Sequence, residues 1–283
     1  MKNLKPNCGT IYIVATPIGN LDDITIRAVQ TLKKVDLILA EDTRHATILL
    51  QHYQISTRCE SFHAHNEQAK AEKYFNMVQN GAQLALISDA GTPLINDPGY
   101  PLVNAAQKLQ IPVIPIPGPC ALICALSAAG VPTDNFSFHG FPPAKTANRK
   151  SFFTQLSNIY NTTVFYESTH RLIGSLRDLA TIFDSAQPIV LAKELTKAYE
   201  EIKFAPIQDI IAWLENDPNR LKGEFVIIIP ARSKPNTNEE EAVKLLTILL
   251  PHVGAKQAAQ IGSQLLNLPK NQLYQLALQL HSR

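Results

Sequence analysis

The sequence predicts an α/β protein with a mostly parallel sheet in its first half, a second α/β unit, and a small helical tail. Two observations carry this expectation. Short aliphatic runs alternate with helical patterns from residue 11 onward, and alternation of that kind builds parallel sheets covered by helices. The composition is globular, with 45% hydrophobic and 18% charged residues over 283 positions, enough for two ordinary domains.

Taken in order, residues 11–15 (IYIVA) read as a buried strand, and Asp23 as the cap of a helix whose apolar face carries Ile24, Ala28, Val29 and Leu32. Residues 36–40 (DLILA) form the second strand, and 43–53 a helix. Asn66 caps a further helix that ends near Gly81. Residues 84–88 are a strand and 100–109 a helix. Residues 112–116 are a proline-limited strand suited to an edge, and 121–129 a small-residue helix that can pack closely. Residues 136–145 (FSFHGFPPAK) read as a connection. The second unit has strands at 163–166, 189–192, 199–204 and 225–229, and helices at 171–183 and 207–214. A polar linker at 231–239 leads to helices at 240–250, 256–266 and 270–281.

Composition narrows the function classes. The net charge is only +2, so any nucleic-acid binding must rely on local patches. No apolar run reaches the roughly 18 residues of a membrane span. The first eight residues lack a signal-peptide core, so a cytoplasmic protein is expected. The four cysteines contain no CxxC pair, and packing is their expected role. His63 and His65 have no carboxylate or cysteine at ligand spacing, so no metal site is expected.

Ligands of open α/β sheets bind at the carboxyl ends of strands, so the chemistry is expected in the loops there. The loop at 15–23 (ATPIGNLDD) precedes a helix but holds no GxGxxG fingerprint, which argues against a dinucleotide-dependent dehydrogenase. The segment 41–45 (EDTRH) gathers ionisable groups, although Asp42 or Thr43 can equally be a helix cap. The loop at 88–99 (SDAGTPLINDPG) has a backbone specified by Gly and Pro, with Gly91 allowing close approach of a ligand and Asp89 able to balance a positive charge. In the second half, 167–171 (ESTHR), Lys193–Glu194 and 222–224 (KGE) border strands and suggest a wall facing the same cleft.

In order, TPIGNLDDIT (16–25), AEDTRH (40–45), HAHNE (63–67), SDAGTPLINDPG (88–99), PGPCA (117–121), FYESTHR (165–171) and KGE (222–224) resemble the tetrapyrrole-methylase-like family of S-adenosylmethionine methyltransferases. Seven ordered motifs spread over nearly the whole chain make the resemblance specific. It is nearest to the branch that forms 2′-O-methylcytidine in the decoding centre of 16S rRNA. The resemblance implies a two-domain fold with a mixed sheet in the second domain and the methyl donor in the cleft between. The expected boundaries are 1–135, 136–232 and 233–283. It further implies a homodimer acting on 16S rRNA in the small ribosomal subunit, away from membranes. Donor contacts are expected at Pro17, Ile18, Asp89, Ala90, Gly91, Thr92, Ile95, Cys120, Ala121 and Glu167. The chain departs from tetrapyrrole-modifying members at Thr16-Pro17-Ile18, where they carry a glycine-rich turn, and at residues 90–93, where they carry Gly-Gly-Asp-Pro.

The implied reaction is an in-line displacement at a sulfonium methyl, which needs positioning and an acceptor for the hydroxyl proton rather than a metal. Asp42, Glu167, Lys193 and Glu194 are the unranked candidates for that acid–base role. Arg44, His45, His63, Asn66 and Arg171 are candidates for phosphate and base contacts. Lys256, Lys270 and Arg283 on the terminal helices offer further RNA contacts, or the helices serve only in packing.

Overall fold

Strand β2 (Leu37–Ala40) shows how the first sheet is built. All four of its residues are buried, and alternate side chains enter different cores. Ile38 and Ala40 pack with helices α1 (Ile26–Lys34) and α2 (Thr43–His52). Leu37 and Leu39 pack with α3 (Glu67–Gln79) and α4 (Tyr100–Lys108). Strands β1 (Thr10–Val14), β3 (Cys59–Ser61), β4 (Gln83–Ile87) and β5 (Val113–Ile116) complete an all-parallel sheet of order β3-β2-β4-β1-β5. The computed structural model describes residues 8–63, 67–233 and 237–281; Asn66, expected as a helix cap and substrate contact, lies outside them, as does Arg283.

The proline-limited strand sits at an edge, where Pro115 forfeits no hydrogen bond from a further strand. The opposite edge, β3, was not expected: Cys-Glu-Ser has no apolar run, and the strand exists through pairing with β2. Asp23 does not cap α1. It lies in a 3-10 turn, Leu21–Asp23, capped by Asn20, and the Thr25 hydroxyl caps α1 by accepting the Ala28 N–H at 3.1 Å.

Helix α5 (Ala121–Ala128) leaves the first sheet and packs its Leu122, Ala125 and Leu126 on a second sheet, against Val164, Val190, Val226 and Ile228. That sheet has the order β6-β7-β10-β8-β9. It is built from β6 (Phe136–Phe138), β7 (Thr162–Ser168), β8 (Pro188–Lys193), β9 (Glu201–Pro206) and β10 (Glu224–Ile229). Only the β6–β7 pair is parallel, so the sheet is mixed. Its other face is covered by α6 (Thr146–Ser157), α7 (Leu172–Phe183) and α8 (Ile207–Glu215), around Phe153, Phe165, Leu176, Ile210 and Phe225. Each such side chain contributes about 1.5–3 kcal/mol by leaving water.

Both β6 and α6 fall where the sequence suggested no element. Helix α6 buries Arg149, Phe153 and Leu156, a helical stripe whose first member is charged. Arg149 is buried because Asp178 accepts two of its hydrogen bonds, at 2.6 and 2.8 Å, and the Ala144 carbonyl a third. The strand expected at 199–204 lies two residues later, at Glu201–Pro206, because the chain turns through Thr196 and Tyr199 before pairing Glu201 with Lys193.

The described chain separates into two compact units, the first ending at Ala231 and the second beginning at Arg232. The second unit has a core of its own. Helices α9 (Thr237–Leu249), α10 (Ala255–Leu266) and α11 (Lys270–His281) close around Ala242, Leu246, Ala258, Ala259, Leu273 and Ala277. Small residues let these helices approach closely: a Cβ on Gly262 would stand 3.2 Å from the Leu273 Cδ1. No described helix is long and apolar enough to cross a membrane.

Candidate active site

A cavity of about 480 Å³ opens between the carboxyl ends of the first sheet and, in the second, the end of β7 and the start of β10. That is the size range of a small-molecule cofactor site. The first sheet contributes Ile18, Asp89, Ala90, Gly91, Thr92, Ile95, Asn96, Asp97, Cys120 and Ala121 to the wall. The second contributes Phe141, residues 166–170, Leu195 and residues 223–226.

The loop at 88–99 is held tightly. Thr16 and Gly91 exchange backbone hydrogen bonds of 2.8 and 3.0 Å, and the Thr16 hydroxyl donates to the Ser88 carbonyl. Thr92 ties the loop to the next one by donating to the Pro119 carbonyl at 2.9 Å. Gly91 stands at φ +85°, where a side chain would be strained. Leu94 and Asn96 adopt positive φ, 72° and 65°, without that licence. Such backbone costs on the order of 1–2 kcal/mol per residue and collects at functional sites. Its effect is to present Ile95 and Asp97 to the cavity.

On the opposite wall, Glu167, the penultimate residue of β7, has its side chain fully buried. Its Oε1 accepts the Ser168 N–H at 2.8 Å and pairs with Arg171 at 2.9 Å. Its Oε2 has no hydrogen-bond partner. Arg171 also donates to the Ser168 hydroxyl and the Pro142 carbonyl, and lies 5.9 Å from the Phe141 ring centre. The Tyr166 hydroxyl accepts the Leu122 N–H at 3.2 Å, and its ring meets Phe138 and Phe141 edge-on.

Charge is unevenly distributed around the cavity. Burial pushes the Asp97 carboxyl up to about 6; a hydrogen bond with Ser88 opposes this and the charge of Asp89 adds to it. Burial, then Asp89, Asp97 and Asp42, also raise Glu41. Asp42 is the reverse case. Hydrogen bonds from the Arg44 guanidinium and N–H hold its carboxyl far below the usual carboxylate range.

Of the residues expected from sequence, Ile18, Asp89, Ala90, Gly91, Thr92, Ile95, Cys120, Ala121 and Glu167 meet on one cavity wall or the other. Pro17 does not line it, and the loop offers Ile18 instead. Asp42, Arg44, His45, His63, Arg171, Lys193 and Glu194 are also off the wall. Asp42 caps α2 and chelates Arg44, whose side chain is otherwise exposed. Lys193 is buried in β8. Burial works to raise the Glu194 carboxyl, but the Lys197 ammonium and the Glu224 N–H outweigh it and leave it below its usual range. Wall residues not named as candidates beforehand include Phe141, Leu195, Phe225 and Val226, apolar side chains that read as core in a sequence, and Asp97, which lay within the loop at 88–99 without being marked.

Comparison with known proteins places this architecture. The family model for Tetrapyrrole (Corrin/Porphyrin) Methylases matches residues 10–211, and that for the RsmI C-terminal HTH domain matches 236–281. The chain is 47% identical over 272 residues to Ribosomal RNA small subunit methyltransferase I of Escherichia coli O157:H7, covering 96% of this chain and 95% of the relative. It is 45% identical to the protein of the same description from Pseudomonas aeruginosa, covering 96% and 98%. Among solved structures, a cobalt precorrin-4 methyltransferase aligns with TM-score 0.58 at 14% identity, covering 77% of this chain and 94% of that one. A uroporphyrin-III-C-methyltransferase from Thermus thermophilus aligns with TM-score 0.53 at 18% identity, covering 78% and 94%. These structural likenesses concern the fold alone. The sequence matches span both sheets and the helical unit, and the chain belongs to the Tetrapyrrole (Corrin/Porphyrin) Methylase family.

Proposed function

We propose that this chain transfers a methyl group from S-adenosylmethionine to the ribose 2′-hydroxyl of a cytidine in the decoding centre of 16S rRNA, acting as a cytoplasmic homodimer. The observation that carries the reading is the cavity wall itself. Glu167, a wall residue, has a fully buried carboxylate with one oxygen lacking a hydrogen-bond partner among the described residues, and leaving such an acceptor unsatisfied costs about 1–3 kcal/mol or more. A ligand N–H, O–H or ammonium at that point would satisfy it.

The wall fits a sulfonium nucleoside. Ile18, Ile95, Ala121 and Leu195 supply apolar surface, while Asp89 and Glu167 supply negative charge toward a cationic ligand. When bound, the donor supplies an electrophilic methyl on a good leaving group. The protein then has to hold the acceptor hydroxyl in line and accept its proton. Arg44, whose side chain is exposed, and His45 and His63 lie outside the cavity wall and are our candidates for contacts with RNA around the target nucleotide, while Arg171 is held by Glu167, Ser168 and Pro142. The names of the relatives support ribosomal RNA of the small subunit as the acceptor. The expected boundaries near residues 135 and 232 complete the proposal, with the cavity between the first two segments.

The experiment incubates the purified chain and labelled S-adenosylmethionine with small ribosomal subunits from cells lacking this activity, and in parallel with uroporphyrinogen. Label in RNA is the expected result. Label in the tetrapyrrole alone would assign a carbon methyltransferase of the kind the structural neighbours represent.

A further inference from the structure

The hydroxyl proton needs an acceptor, and the structure removes most of the obvious ones. Asp42 is off the cavity wall and chelated by Arg44. Glu194 is off the wall and held by Lys197. Glu224 lines the cavity but has an exposed side chain paired with Lys197. Glu167 pairs with Arg171 through one oxygen, and Asp89 accepts the Asp42 N–H. Asp97 is different. It lines the cavity, is partly buried, and forms no ion pair within 4 Å among the described residues; its hydrogen bond is with the neutral Ser88 hydroxyl rather than with a cation or a backbone N–H. It sits in a loop whose Leu94, Asn96 and Gly99 all adopt positive φ.

Resting on the methyl-transfer reading above, we infer that Asp97 is the proton acceptor for the reacting hydroxyl. In the step, the hydroxyl O–H bond breaks and the proton passes to a carboxylate oxygen of Asp97. The oxygen's electron pair forms the new O–CH₃ bond, and the C–S⁺ bond breaks with its pair going to sulfur, leaving a neutral thioether. The groups whose charges act around it are Asp89 at the end of β4, Glu41 at the end of β2, and the Tyr166 phenol of β7. Burial and the charge of Asp89 strengthen Asp97 as a base while leaving it mostly ionised at neutral pH.

The test compares wild type, Asp97→Asn and Asp97→Glu, with S-adenosylmethionine affinity measured by calorimetry and single-turnover methylation of small subunits followed from pH 5 to 9. Asp97→Asn is expected to bind the donor within about threefold of wild type and to lose about 10²- to 10⁴-fold in rate. The wild-type rate is expected to fall below pH 6, with that limb absent from Asp97→Asn, and Asp97→Glu to recover part of the rate. An Asp97→Asn rate within threefold of wild type, or one whose loss is matched by lost donor binding, overturns the assignment. A wild type that binds the donor but labels no RNA overturns instead the reading on which it rests.

Discussion

Replacing Glu167 by Gln tests whether its unpartnered oxygen is a ligand contact. The amide keeps the shape and one carbonyl oxygen, which can still accept the Ser168 N–H and the Arg171 guanidinium at the present 2.8 and 2.9 Å. Arg171 also retains its bonds to the Ser168 hydroxyl and the Pro142 carbonyl, so the fold should lose little. What changes is the second oxygen of this wall residue. An N–H₂ donor replaces the buried Oε2, which has no protein partner to lose. If that oxygen accepts from the donor's cationic end, the substitution removes a charge-assisted hydrogen bond of about 1.5–3 kcal/mol. That corresponds to roughly 10- to 150-fold weaker binding of S-adenosylmethionine. Calorimetry of donor binding, beside a thermal melt, measures both effects. Unchanged affinity with a lowered melting temperature would refute the reasoning, making Glu167 an anchor for Arg171 only.

Three further perturbations test other parts of the account. Ala125 is fully buried where α5 meets the second sheet, so Ala125→Leu should destabilise by about 1–3 kcal/mol through overpacking, seen in urea unfolding; no change would mean that contact is loose. Asp97 titrates near 6 in the folded protein, above an unfolded carboxyl near 4. Its folded form is therefore fully favoured below pH 4 and loses stability as pH rises through 6. Asp97→Asn should thus stabilise at pH 7.5 by about 1–2 kcal/mol after discounting for solvent screening, with the gain vanishing near pH 4; a pH-independent difference contradicts this. Deleting residues 236–283 should leave donor affinity within about twofold, because the cavity wall draws on no residue beyond Val226, and a large loss would show otherwise. In the same variant, unchanged activity on subunits would exclude a role for the terminal helices in docking on RNA.

The parallel sheet was legible because its strands are continuous aliphatic runs buried on both faces, as in β2 and β4. The loop half of the cavity was legible for a related reason: strand ends are where such sheets bind ligands, and the loop at 88–99 is rich in Gly and Pro. Two kinds of feature stayed hidden. Helix α6 hides its apolar stripe behind Arg149, which is buried only because Asp178 stands 29 positions away to meet it. Likewise, ionisable residues at strand ends look alike in a sequence. Asp42, Glu194 and Arg171 proved to be engaged by Arg44, Lys197 and Glu167, whereas Asp97 is left facing the cavity. Those pairings are local, between residues two to four positions apart, but strand-end turns offer several such partners and the backbone conformation decides which pair closes; Glu194 is held in addition by the Glu224 N–H, 30 positions away.

The most direct measurement is the chemical identity of the methylated nucleoside. Small subunits lacking the modification are incubated with the chain and labelled S-adenosylmethionine, and the 16S RNA is digested to nucleosides for mass spectrometry. Label in 2′-O-methylcytidine, confined to a decoding-centre fragment, is the expected result. Label on a base, or RNA without label despite measurable donor binding, would contradict ribose methylation as the reaction of this cavity.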